Sequence, residues 1–149
     1  MKCLVAVDGS EASKNALAYA IDIADAMDGS ITVVHSVDPT AHDEGGSEPT
    51  LSLWDEDQRL ILESIEDAEQ RGLDLLDDAS AFADDLSHDV AVELCYGNPV
   101  AEITDYAEDE GFDAIFVGHR GRSERAGLML GSVAKSLVER ATVPVTVVR

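Results

Sequence analysis

The fifteen residues GHRGRSERAGLMLGS, Gly118 to Ser132, contain four glycines (Gly118, Gly121, Gly127, Gly131) and three arginines (Arg120, Arg122, Arg125). Glycines lack a Cβ and let backbone N–H groups close on an anion; a helix N-terminus adds unpaired donors and the positive end of its dipole. Gly131, Ser132 and Val133 stand where such a helix would begin. The arginines bring positive charge into a chain of 31 acidic and 10 basic residues with a formal net charge of -21. A positive patch in so negative a field reads as a counter-charge for a ligand, and the chemistry is that of a phosphate cradle.

Other residue types offer less. Asp8 ends an apolar run and precedes Gly9, so it serves either as a turn-forming aspartate or as a contact to a nucleotide or its metal. His35 lies within an apolar run and reads as a satisfied core histidine, His119 is a loop neighbour of the cradle, and His42 and His88 lie in polar surroundings without matching ligands. Asp77, Asp78, Asp84 and Asp85 follow a helical pattern that cannot converge on one substrate, which assigns them to solvent. Cys3 and Cys95 form neither a CxxC nor a Cys/His metal spacing and are expected as reduced core thiols. No nucleophile and base stand at a recognisable spacing.

The elements that must position the cradle follow from periodicity. CLVAV (3–7) is a continuous apolar run ending in the turn signal DGS, hence a buried strand. Ser10 caps a helix whose apolar positions Ala16, Leu17, Ala20, Ile21, Ala24 and Met27 recur until Gly29 stops it. SITVVHSV (30–37) is a second strand. Residues 38–54, with two prolines and two adjacent glycines, read as a surface excursion. From Asp55 to Leu86 an apolar stripe of Ile61, Ile65, Ala68, Leu75, Leu76, Ala79, Ala83 and Leu86 marks a long helix. DVAVELCYG (89–97) alternates Val90, Val92, Leu94 and Tyr96 with less apolar residues, as a strand near a sheet edge with one wet face does. Asn98 and Pro99 open a short helix ending at Gly111, DAIFVG (113–118) is a buried strand, SVAKSLVERA (132–141) a helix and VPVTVVR (143–149) a final strand whose Pro144 suits an edge. This alternation predicts an α/β fold: a doubly wound five-stranded parallel sheet with helices on both faces, organised as one domain over 1–149. Ligands of such sheets bind at the carboxyl ends of the strands, where Asp8 and Gly118 both fall.

Neither GxxxxGK[ST] nor GxGxxG follows a strand here, so the chain is neither a P-loop nor a Rossmann protein. The pattern present, Gly118-x2-Gly121-x9-Gly131-Ser132, resembles the G-x2-G-x9-G-[ST] of nucleotide-binding members of the universal stress protein family, which share an adenine nucleotide alpha hydrolase-like fold. The resemblance extends to AVDGS, VVHSVD, GNPVAEITDYAEDEGFDAIFVGHRG and LGSVAKSLVERATVPVTVV. It implies that Asp8, with Ala6 and Val7 before it, lines an adenosine pocket and that the backbone near Ser36 contacts adenine. It further implies that Gly118, Arg120, Gly121, Gly131, Ser132 and Val133, with Val117 beside them, hold ribose and phosphates. Arg120 stands where a histidine is common and Ala134 where a hydroxyl residue is common, so those side-chain contacts differ while a backbone cradle would not. Valine at residue 121 is expected to block the cradle, by filling the space that phosphate needs and by penalising any positive φ the turn requires. Arg122 is expected to add a lesser charge at the rim.

The function implied by the resemblance is a cytoplasmic, adenine-nucleotide-binding regulatory protein of the stress response. ATP is the first candidate ligand, ADP and AMP the others, with Mg²⁺ or Mn²⁺ carried on the phosphates. A slow ATPase or phosphotransferase using the same pocket is one alternative; a dimeric interaction module with a vestigial pocket is another, which the intact glycine motif disfavours. The last strand, residues 143–148, is expected to pair across a homodimer, because an apolar edge is normally covered.

Composition sets the surroundings. The N-terminal MKCLVAVDG passes from a short apolar run into a turn and no apolar stretch approaches 18 residues, so no signal peptide or membrane span is expected. Excess acid disfavours nucleic acid and anionic membranes as partners. With only Lys2, Lys14 and Lys135 as lysines, the acid-rich surface suggests a salt-loaded cytoplasm, that of a halophile. The Debye length is about 3 Å at 1 M salt and about 30 Å at 0.01 M, so desalting restores repulsion among the carboxylates. The melting temperature is therefore expected to climb as KCl rises from millimolar to molar; a flat profile would remove the halophile inference.

Overall fold

Valine-rich runs settle as parallel strands when both faces can be covered, and here four helices supply the cover. The structure, a computed structural model, describes residues 1–38, 54–121 and 130–149, with side chains from residue 65 onward in the second stretch. In chain order the elements are β1 (Lys2–Ala6), α1 (Glu11–Met27), β2 (Ser30–Val37), α2 (Trp54–Asp85), β3 (Val90–Tyr96), α3 (Pro99–Asp109), β4 (Ala114–Gly118), α4 (Ser132–Arg140) and β5 (Val145–Val148). Among the described residues the five strands form one sheet in the order β3-β2-β1-β4-β5, with every neighbouring pair parallel. The expected doubly wound α/β architecture is present. Residues 39–53 of the anticipated surface excursion lie outside the described residues.

The alternation of side chains along β1 splits the core in two. Cys3, Val5 and Val7 pack with Leu17, Ile21 and Leu76 of α1 and α2 on one face; Leu4 and Ala6 pack with Val100, Ile103 and Leu137 of α3 and α4 on the other. Because β1 leads to β2 on one side and β4 to β5 on the other, the order reverses between β1 and β4. That gap is the topological switch point, where the connections diverge to opposite faces and leave a crevice.

Local signals act as anticipated at two helix starts. Ser10 Oγ accepts from Ser13 N at 3.1 Å, and Asn98 Oδ1 accepts from Val100 N at 3.1 Å and Ala101 N at 3.2 Å. The end of α1 differs from expectation: the left-handed residue is Asp28 (φ 50), and Gly29 serves a close approach instead. A Cβ on Gly29 would lie 2.7 Å from the Met1 carbonyl oxygen. Gly72, inside α2, likewise brings that helix onto the sheet, where a Cβ would meet His35 Cδ2 and Leu94 Cδ1 at 3.0 Å.

Two sequence expectations need correction. Met27 and Leu86, read as the last members of apolar stripes, are exposed, because α1 ends at Met27 and Leu86 follows the last residue of α2. On β3 the apolar set is itself partly wet: Val92 is 45% and Tyr96 53% exposed, since β3 is the outermost strand. Tyr96 Oη nevertheless reaches Glu69 of α2 at 2.8 Å. His88, read as lying in polar surroundings without matching ligands, places Nδ1 3.0 Å from Asp25 Oδ1.

Both cysteines are free thiols; Cys3 is buried, Cys95 half-buried, and burial is the main cause pushing each thiol pKa upward. Among the described residues no helix is long and apolar enough to cross a membrane.

Candidate functional site

The turn after β1 is built by hydrogen bonds that a four-residue stretch can make on its own. Gly9 takes φ 80, a conformation that costs a side chain, and lets Asp8 fold back so that Oδ1 accepts from Ser10 N at 2.9 Å. Ser13 Oγ donates to Ser10 O at 2.9 Å and accepts weakly from Asp8 N at 3.4 Å. Asp8 thus is a turn-forming aspartate through Oδ1, and Oδ2 faces the neighbouring loop at Gly121.

That neighbour is the end of β4. A Cβ on Gly118 would sit 2.7 Å from Ala12 C and from Ser13 N, so the strand end lies directly on the backbone of the first turn of α1. Ser10 Oγ donates to the Arg120 carbonyl at 3.3 Å. His119 N donates to Val148 O at 2.7 Å, and Gly131 N donates to His119 O at 2.7 Å. One short stretch is therefore tied to β5, to α1 and to the N-cap of α4. Gly131 caps α4 and, lacking a side chain, makes no side-chain cap hydrogen bond.

Gly121 has no positive φ, so the turn makes no demand for a left-handed residue there. It is needed for proximity: a Cβ would lie 2.7 Å from Asp8 Oδ2. The two strand ends that the sequence placed at one crevice do meet.

Between them and α3 opens a cavity of about 410 Å³. Ala6, Val7, Asp8, Ser36, Val117, Gly118, Arg120, Gly121, Gly131, Ser132 and Val133 all line it; Arg122, the remaining expected site residue, lies outside the described residues, as does Arg125. Sequence reasoning missed Val34, Pro99 and Ile103, which give the cavity an apolar wall, and assigned His35 to the core alone. His35 Nδ1 is indeed satisfied, 2.7 Å from Val7 O, yet the ring also borders the cavity. The signal for Pro99 and Ile103 was the start of a helix following an edge strand at the ligand end of the sheet. Ser36 Oγ donates to Gly97 O at 3.0 Å and so ties that helix entry to β2.

Asp8 and Arg120 are oppositely charged groups on this cavity, and Arg120 is the one arginine or lysine among the described residues lining it. Among the described residues no group of three or more His, Cys, Asp or Glu could hold a metal ion. A second, larger cavity of about 590 Å³ lies between α1 and α2, but on its wall Glu11, Asp78 and Asp85 outnumber Lys14, which disfavours an anion.

Comparison with known proteins agrees with this geometry. The model of the universal stress protein family matches residues 1–149. A universal stress protein of Bacillus subtilis is 31% identical over 148 residues, covering 99% of this chain and 98% of its own. The structure of UspA from Lactobacillus plantarum superposes with a TM-score of 0.82 at 24% identity, over 100% of this chain and 97% of that one. The universal stress protein from Archaeoglobus fulgidus, solved in complex with dAMP, gives a TM-score of 0.66 at 25% identity over 100% and 98%.

The two glycines should respond differently to alanine. At residue 118 the new methyl meets helix backbone, which has no room to yield, and a loss of about 1–3 kcal/mol is expected. At residue 121 it meets a carboxylate tip that can turn aside at the cost of its bond to Ser10 N, about 0.5–1.5 kcal/mol. Denaturant melts in molar KCl measure both; equal losses would contradict the backbone contact at Gly118.

Proposed function

The chain belongs to the universal stress protein family, and we propose that its switch-point cavity binds an adenine nucleotide, with ATP the first candidate, in a cytoplasmic regulatory role in the stress response. The observation that carries this reading is a single cavity uniting the ends of β1, β2 and β4 with the N-terminus of α4. Its parts match the parts of a nucleotide. Val34, Pro99 and Ile103 offer an apolar slot for a flat base, with the Ser36 backbone at its rim. Asp8 Oδ2 is an acceptor suited to ribose hydroxyls. The N–H groups opening α4, reinforced by the helix dipole and by Arg120, suit phosphate oxygens. A bound Mg²⁺ or Mn²⁺ would neutralise phosphate charge in a protein whose own charge is strongly negative. The dAMP complex of the Archaeoglobus relative supports the adenine class of ligand.

Calorimetric titration of ATP, ADP and AMP in molar KCl tests the proposal. Micromolar to millimolar binding is expected, and Gly121→Val should abolish it while circular dichroism shows a folded protein. A branched side chain there occupies the space between Asp8 and the cradle, where phosphate oxygens must come within about 3 Å of N–H donors. Wild-type affinity in the folded variant would place the ligand elsewhere. Following ATP over hours distinguishes binding from the alternative of slow hydrolysis.

We also propose a homodimer through residues 143–148. β5 is the outer strand next to β4, its four valine and threonine residues are only half-buried, and Val138 on the adjacent α4 is 53% exposed. Pairing this edge with its copy would satisfy its open backbone groups and cover the patch. Light scattering in molar KCl should report twice the monomer mass; a folded monomer at micromolar concentration would refute it.

A further inference from the structure

Among the described residues, three cavities border the turn after β1, and their side-chain charges differ. The cavity between α1 and α2 sets Lys14 against Glu11, Asp78 and Asp85, and the switch-point cavity sets Arg120 against Asp8. The third, of about 390 Å³, sets Arg120 and Arg149 against Glu11 alone. Of the three it is the one whose side chains sum to a positive charge, on a chain whose formal net charge is -21. Glu11 also borders the cavity between α1 and α2, where Lys14 stands one turn along the same helix, so its carboxylate has a second place to turn. Two guanidiniums on one concave surface repel each other, and an anion shared between them removes that cost.

The wall is fixed before any ligand arrives. Arg120 Nε donates to His119 Nε2 at 3.0 Å, and His119 lines this cavity and not the switch-point one, so the bond anchors the guanidinium on this side. A guanidinium only donates, which makes Nε2 the accepting nitrogen and leaves the terminal nitrogens of Arg120 outside that bond. Among the described residues the one ion pair within 4.0 Å is His88 with Asp25, so no carboxylate neutralises either arginine. His119 N is held by Val148 O at 2.7 Å, and Asn15 Nδ2 donates to Arg149 O at 3.3 Å, which fastens the residue after β5 to α1. The first turn of α1 runs along the same wall through Ser10, Glu11 and Ala12, and the positive end of a 17-residue helix adds to the field there.

We propose that this third cavity is an oxyanion site, in which Arg120 and Arg149 take a phosphate group between them at the start of α1. Guanidinium forks match the oxygens of phosphate in pairs, a match that chloride does not offer, so phosphate is selected even where chloride is abundant. The phosphate is either free inorganic phosphate or the outer phosphate of a nucleotide, because Arg120 and Gly121 border this cavity and the switch-point cavity alike. Only the second source rests on the reading of the switch-point cavity as an adenine-nucleotide site.

Titration of the full chain with inorganic phosphate in molar KCl, followed by nitrogen–proton NMR of the arginine Nε–H groups and the backbone amides, tests the site. Saturable binding should move Arg120, Arg149, Glu11 and Ala12 together, with one dissociation constant. Arg149 is exposed, so Arg149→Gln keeps the fold, and it should weaken phosphate roughly three- to tenfold even in molar salt, whereas Glu11→Gln should tighten it. Displacement of phosphate by ATP but not by AMP would support the site and assign it to a nucleotide's outer phosphates; phosphate that stays in place under ATP would support it as a site for free phosphate. Phosphate that does not saturate, that moves only Gly131, Ser132 and Val133 of the switch-point cavity, or that binds Arg149→Gln as tightly as the parent overturns the proposal. A switch-point cavity that takes no nucleotide leaves the phosphate titration unaltered and overturns only the nucleotide reading.

Discussion

The end of β4 rests on the first turn of α1 with nothing between the two backbones. Gly118 makes this possible, since any Cβ there would fall 2.7 Å from Ala12 C and Ser13 N. The contact spans the switch point, where β1 and β4 are neighbours but their connections leave for opposite faces. It brings the turn after β1 and the turn after β4 into hydrogen-bonding range, which the bond from Ser10 Oγ to the Arg120 carbonyl records. Around that join the cavity is open enough for a ligand and rigid enough to be pre-formed.

Rigidity comes from backbone groups more than from side chains. His119 N and O are both engaged, with β5 and with the N-cap of α4, so the stretch that borders the cavity inherits the stiffness of the sheet. On the opposite wall, Ser36 Oγ fastens the entry of α3 to β2 through Gly97. A site assembled this way gives up little conformational entropy when it fills, because the groups that must be ordered are already ordered by the fold.

Electrostatics then determine what can fill it. The surface is dense in carboxylates, and an anion would be repelled almost anywhere on this chain. On the proposed reading the cavity would offset this through donors that carry no full charge, the opening N–H groups of α4, together with Arg120. Partial charges held at short range keep their effect when salt screens the long-range field, whereas exposed ion pairs lose theirs. A backbone cradle of the kind proposed is therefore a form of phosphate recognition that concentrated salt would weaken little.

The sequence by itself determined the element order and the glycine spacing. Buried strands must be apolar on both faces and helices on one, and those periodicities survive without any knowledge of the neighbours. Ser10 and Asn98 were legible as caps for the same reason: capping is a bond between residues two or three apart. What depends on residues far apart in sequence was decided only in three dimensions. Gly29 read as a helix stop, Gly118 and Gly121 as parts of an anion cradle and Gly72 as nothing in particular, yet each is needed because another segment comes close, be it the Met1 carbonyl, His35, α1 or Asp8. Val34, Pro99 and Ile103 look like ordinary core residues until the order of strands places them around one cavity. His119 looked like a bystander, because a side-chain bond to the next residue has no spacing signature. Local hydrogen bonds and burial periodicity are written along the chain; proximity across the sheet exists only once the chain has chosen which strand lies next to which.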